Sequence, residues 1–152
     1  MSIDPSNIGR RFPPMPPYEV EREMIRAYAD AIGADDRAYR EPAAAHALGY
    51  VDVIAPPTFA IVLTFAANLP ILEEFGIALK NLLHGSQRFE HLRPIRAGDR
   101  LICVVTIEGI RAVDGSDVLT TRGDVSTVDG EPVVTAWCSL VIREPGADRV
   151  SP

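Results

Sequence analysis

The chain has 152 residues, 47% hydrophobic and 24% charged, the size and composition of one soluble globular domain. A net charge of −6 argues against a nucleic-acid partner, which calls for a basic face. Apolar residues 54–70 are interrupted by Pro56, Pro57 and Asn68 and are too short for a membrane span, and the N-terminus carries no apolar stretch of the secretory kind. No membrane association and a cytoplasmic location are therefore expected.

Residues 1–17 contain Pro5, Gly9, Pro13, Pro14, Pro16 and Pro17 and read as a flexible, extended lead-in. A short strand is expected over residues 18–21. Residues 20–32 then take a helical period, with Met24, Ile25, Tyr28 and Ile32 on one face and Gly33 as the stop. Ala34-Asp35-Asp36-Arg37-Ala38-Tyr39 links this helix to a second short one, residues 42–48, ended by Gly49. Pro56-Pro57-Thr58 opens a long apolar segment reaching Phe75, because proline suits a first helical turn, where its missing N–H costs nothing. Phe59, Val62, Leu63, Phe65 and Ala66 are apolar nearly all round, which predicts a buried helix.

The second half changes character. Residues 82–92, 101–113, 118–128 and 133–143 are β-rich runs of strand length, joined by Arg96-Ala97-Gly98-Asp99, Asp114-Gly115-Ser116-Asp117 and Asp129-Gly130-Glu131-Pro132. The Asp-Gly steps are hairpin signals, since glycine takes the positive φ that such turns require. The expected class is α+β, with helices first and then an antiparallel meander long enough to wrap the buried helix. One domain is expected, with a core over about residues 8–143 and a disordered tail after Glu144. Cys103 and Cys138, 35 positions apart, have neither disulfide nor metal-ligand spacing and read as buried reduced thiols. No two histidines have ligand spacing, so neither metal nor cofactor is expected.

Three motifs carry a family resemblance. Ile54-Ala55-Pro56-Pro57-Thr58-Phe59 resembles the start of the central helix in MaoC-like dehydratase N-terminal domains. Leu83-His84-Gly85-Ser86-Gln87-Arg88-Phe89-Glu90 resembles their first long strand, and Arg93-Pro94-Ile95-Arg96-Ala97-Gly98-Asp99-Arg100-Leu101 the turn into the next. The fold this implies is the hot-dog fold, a long central helix wrapped by an antiparallel sheet. Over about residues 8–143 the chain is most similar to accessory subunits of (3R)-hydroxyacyl-carrier-protein dehydratases of type II fatty-acid (mycolate) elongation. In that system a subunit of this kind binds the long acyl group, and a partner carries the catalytic Asp and His. The resemblance implies a homodimer, or a heterodimer with a catalytic hot-dog subunit, acting on an acyl-CoA or acyl-carrier-protein thioester.

Catalytic members carry Asp-x-Asn-Pro-x-His after the first helix. Counting that spacing here puts Ala34 in the Asp position and Tyr39 in the His position. A register one residue later would put Asp35 and Arg40 there, still without an imidazole. Dehydration needs a base for the C2 proton and an acid for the leaving hydroxyl. A tyrosine with an ordinary pKa near 10 is no substitute for the histidine base. The family's His-Gly at the head of the central helix falls on Pro56-Pro57, and Pro57 has no N–H to offer an oxyanion.

Stand-ins are few. Asp35 and Asp36 read first as N-cap and loop residues and second as a displaced base. His84 reads equally as a channel residue and as a half-buried strand histidine, while His46 and His91 read as surface residues. Arg88, Arg93 and Arg96 with Lys80 form the densest basic run, suited to phosphates or, more simply, to salt bridges. Phe59, Phe65, Leu69, Leu72 and Phe75 are core residues that could also flank an acyl chain. The resemblance thus sets Tyr39, Pro57, Thr58, Phe59, His84 and Arg88 around an acyl-thioester site. The leading expectation is an acyl-binding subunit completed by a catalytic partner. The alternatives are an active homodimeric hydratase using Asp35, Asp36 or His84, and a non-enzymatic acyl-thioester binder. A thioesterase fits less well, because no carboxylate lies between Thr58 and Leu72.

Overall fold

The computed structural model describes residues 3–144. Along them run a two-residue strand β1 (Tyr18–Glu19), helices α1 (Arg22–Ile32), α2 (Pro42–Ala47) and α3 (Ile61–Glu74), and four long strands. These are β2 (Leu82–His91), β3 (Arg100–Val113), β4 (Ser116–Thr127) and β5 (Pro132–Ile142). They form one five-stranded antiparallel sheet in the order β1-β3-β4-β5-β2, packed around α3, which is the hot-dog arrangement.

Turn chemistry sets the register. Asp114 and Gly115 both take positive φ, 48° and 79°, so a two-residue turn joins Val113 to Ser116 and fixes the β3–β4 ladder. The helix–sheet contact depends on Gly123 of β4, where an added Cβ would meet Cys103 Sγ at 3.1 Å and Thr64 Cγ2 at 3.6 Å. Leu63, Thr64, Ala67, Asn68, Ile71 and Leu72 make the buried side of α3, against β3 and β4. Within that layer the Thr121 hydroxyl donates to Asn68 Oδ1 at 2.9 Å, and Asn68 Nδ2 donates to the Thr64 carbonyl at 2.8 Å. A buried polar pair is thereby satisfied on both sides. Cys103 and Cys138 are buried free thiols.

Three expectations need correction. Helix α3 begins at Ile61, not at Pro56: Pro57 pushes its predecessor toward extended backbone, so turns fill residues 57–60. Nor is α3 buried all round; Val62, Phe65 and Leu69 are 39%, 37% and 38% exposed along one outward stripe. In α1 the core contacts are Ile25 and Ala29, while Met24 and Ile32 face solvent. The small Ala29 shifts the buried face away from the larger side chains.

The proline-rich lead-in is tied to the sheet rather than loose. Gly9 N–H donates to Ile107 O at 2.8 Å, Phe12 N–H to Val105 O at 2.9 Å, and Ile107 N–H to Arg10 O at 2.9 Å. Ile3 and Phe12 are buried. Lead-in and β1 together cover one edge of β3, whereas β2 ends the sheet on the opposite side with no strand beyond it among the described residues. The expected disorder after Glu144 lies outside the described residues. No helix among them is long and apolar enough to cross a membrane.

Candidate functional site

The segment between α1 and α2 is held by arginines. Arg40 donates to the Ala34 carbonyl at 2.8 Å and pairs with Asp30, and Arg26 donates to the Arg40 carbonyl at 2.9 Å. The Asp36 carboxylate accepts from Ala38 N–H at 2.9 Å and caps a single 3-10 turn, Arg37–Tyr39. Ile54 N–H bonds Ala38 O at 3.1 Å, which fastens this turn to the strand-like approach to α3.

Tyr39 thereby enters a cleft of about 350 Å³ at the head of the central helix. Pro57, Ile54 and Ala55 form one wall; His91, Leu92, Arg93 and Pro94, where β2 ends, form the other. The cleft thus unites Tyr39 and Pro57, two of the residues the sequence resemblance singles out. Burial, with the Asp36 carboxylate adding to it, raises the Tyr39 pKa and keeps the phenol protonated. His91 is open to solvent on one side, while the cleft withdraws water from the other and lowers its pKa. At neutral pH its imidazole is uncharged.

His91 is a surface residue at a strand end, as expected, and it also lines this cleft. The signal was the strand parity: Phe89 and His91 share a face, Phe89 packs against the core, and the two rings sit 6.0 Å apart.

The other expected residues lie elsewhere. Asp35 is exposed, and Asp36 is engaged as a cap. His84 is exposed on β2, with Nε2 3.0 Å from Gln87 Oε1 and 3.5 Å from Cys138 Sγ. It lies seven positions before His91 along the strand, roughly 20 Å away. Thr58 shares a 2.8 Å hydrogen bond with the Tyr28 hydroxyl, and Phe59 is in the core, edge-on to Tyr28 with ring centroids 5.4 Å apart. Phe59 and Leu72 are fully packed, Phe75 is half-buried, and only Phe65 and Leu69 of that apolar set face outward.

The basic run does not gather into one patch. Arg88 stacks 3.7 Å over Trp137 and pairs with Glu90 at 3.0 Å. Arg93 is 16% exposed and forks onto the Asp99 carboxylate with two 2.9 Å bonds, with Glu131 at 2.6 Å. Arg96 reaches Asp99 only at 4.0 Å, and Lys80 lies in the turn before the far end of β2. The salt-bridge reading accounts for Arg88 and Arg93. Among the described residues no three His, Cys, Asp or Glu side chains converge as a metal site.

The cleft at the head of the central helix of this hot-dog fold thus has a protonated phenol, a neutral imidazole and apolar walls, with no carboxylate in its lining. The chain belongs to the MaoC-like dehydratases, matching the family described as FAS1-like, dehydratase domain region over residues 6–136. It is 49% identical over 150 residues to a UPF0336 protein of Saccharopolyspora erythraea, covering 97% of this chain and 96% of the relative. A chain of the C-terminally truncated HadBC (3R-hydroxyacyl-ACP dehydratase) complex of Mycobacterium tuberculosis superposes with a TM-score of 0.82 at 29% identity, covering 93% of this chain and 99% of that one. A solved MaoC-like dehydratase superposes with a TM-score of 0.86 at 34% identity over 97% of this chain, which spans 45% of the length of that protein.

Proposed function

We propose that this chain is an acyl-binding subunit of a (3R)-hydroxyacyl-thioester dehydratase or enoyl hydratase, completed by a hot-dog partner that carries the Asp and His. The observation that carries this reading is the pairing of Tyr39 with Pro57 in the cleft at the head of α3. Removing the C2 proton and protonating the leaving hydroxyl need a base and an acid, and an oxyanion needs an N–H donor. The aligned positions supply a phenol, an alanine at position 34 and an imino acid. Asp36, three residues before Tyr39, is occupied as a cap.

Two surfaces support a paired assembly. Among the described residues strand β2 presents ten residues of sheet edge with no strand beyond it, and Val62, Phe65 and Leu69 form an exposed apolar stripe on α3. Long open edges and apolar stripes are both costly to leave in water. The structurally similar Mycobacterium tuberculosis protein was solved as a HadBC complex, and that likeness supports a second hot-dog chain as the occupant. The ligand is an acyl-CoA or acyl-carrier-protein thioester, with no cofactor, in the cytoplasm. Co-expression with a catalytic hot-dog subunit tests the reading. A stable heterodimer is expected; a tight homodimer that takes up no such partner would count against it.

A further inference from the structure

Strand β2 gathers polar side chains at the end away from the cleft. In a regular strand His84 and Gln87, three positions apart, would point to opposite faces of the sheet. Here the ladder with β5 slips between His84 and Ser86, and this bulge at Gly85 turns both side chains onto the face of Cys138. Glycine suits the bulge, since a Cβ at position 85 would meet Ser139 O at 3.2 Å and Val141 Cγ2 at 3.3 Å. Gln87 is the ladder partner of Cys138, and His84 Nε2 lies 3.0 Å from Gln87 Oε1 and 3.5 Å from Cys138 Sγ. Sulfur, nitrogen and oxygen lone pairs thus converge. The ring nitrogen holds at most one proton and serves only one of its two neighbours at a time. The amide is held by its oxygen alone, because Gln87 Nε2 is buried without a hydrogen-bond partner among the described residues.

We propose that His84 Nε2, Cys138 Sγ and Gln87 Oε1 form a three-ligand site for zinc, or a similar borderline-soft divalent cation, that staples the edge strand β2 to β5. Zinc bonds of about 2.3 Å to sulfur and about 2.0–2.1 Å to nitrogen, at the tetrahedral angle, set the two donor atoms about 3.5 Å apart. Sγ and Nε2 already have that separation. Thiolate and imidazole select such a cation over magnesium or calcium, which take oxygen ligands. Gln87 supplies the third donor, where a carboxylate, an imidazole or a second thiolate is more usual. Burial pushes the Cys138 thiol up to about 11, so without a cation Sγ keeps its proton. A bound cation takes the sulfur lone pair, and the thiol proton leaves to solvent. His84 is exposed, which gives the ion a way in and leaves the fourth position to water. The site stands apart from the cleft and is independent of the acyl-binding reading.

The test uses cobalt(II), which replaces zinc in such sites and reports thiolate coordination through a sulfur-to-metal charge-transfer band in the near ultraviolet. Titrated into the purified full-length chain under reducing conditions, cobalt should raise this band to saturation at one ion per chain, and zinc should then abolish it. C138A should remove the band, while C103A, which deletes the other thiol, should leave it unchanged. H84A should weaken cobalt binding by no less than the roughly 10–100-fold that losing an outer-shell partner costs a metal site. No band from the folded wild type with cobalt in large excess would overturn the proposal. A band that survives in C138A, or wild-type cobalt affinity in H84A, would overturn it equally. Should C138A fail to fold, H84A still decides, because its side chain is exposed on the edge strand.

Discussion

Replacing Arg93 with methionine separates a structural arginine from a ligand-binding one. Arg93 and Asp99 are 16% and 6% exposed, so removing the guanidinium leaves a carboxylate in a water-poor site. Stranding one member of a buried pair costs about 3–5 kcal/mol. Here Asp99 keeps the Arg96 N–H at 2.9 Å and the Arg96 guanidinium at 4.0 Å, which places the cost at the low end, about 3 kcal/mol. The lost contact to Glu131, 52% exposed, adds at most about 1 kcal/mol. For a domain of this size the melting temperature should fall by about 6–12 °C. Urea unfolding followed through the single tryptophan, Trp137, measures the loss directly. Asp99→Asn keeps the acceptor for Arg96 N–H while removing the charge. The R93M/D99N pair should therefore be more stable than the sum of the single changes predicts, by about 1–2 kcal/mol. A loss below about 1 kcal/mol for R93M, or strict additivity, would refute this reasoning and return Arg93 to the pool of free phosphate ligands.

Other outcomes follow from the same contacts. Gly123→Ala should cost about 1–3 kcal/mol, because the new methyl enters the space of Cys103 Sγ and Thr64 between sheet and α3; denaturant midpoints would show it. Asn68→Ala should cost about 1–3 kcal/mol by stranding the buried Thr121 hydroxyl, with part of the loss recovered in N68A/T121V. Burial pushes the thiols of Cys103 up to about 12 and Cys138 up to about 11, so native protein at pH 8 should resist iodoacetamide and label only on unfolding. Fast native labelling would contradict the packing around both. Asp36→Ala should lower stability by about 1 kcal/mol through loss of a cap, with no effect on enoyl binding if the carboxylate is structural.

Much of the architecture was readable because it is local. The Asp114-Gly115 turn declares its φ values in its residues, and the strand pattern on either side follows. Helix α1 was found, but its buried face was misplaced, since hydrophobicity ranks Met24 and Ile32 above the Ala29 that packing selects. Pro56-Pro57 pointed to the right place and the wrong onset, because the second proline bars the first from helical backbone. Counting from the first helix is what puts Ala34 and Tyr39 in the Asp and His positions of the resembled pattern. The second wall of the cleft was not readable in this way, because it comes from the end of β2, more than fifty residues after Tyr39, and depends on how the sheet closes. Only the parity of Phe89 and His91 hinted that the histidine borders the cleft. For the arginine-rich run the simpler salt-bridge reading holds, because a strand and its turn carry Arg88 onto Trp137 and Glu90 and Arg93 onto Asp99.

The most direct measurement is hydration of trans-2-enoyl-CoA substrates, one short and one long, by the purified chain alone and with a catalytic hot-dog partner, followed by loss of enoyl absorbance. The account predicts no turnover alone and robust turnover of the long substrate with the partner. Robust turnover by the chain alone would contradict it and move the search for a base to His91, His84, Asp35 and Asp36.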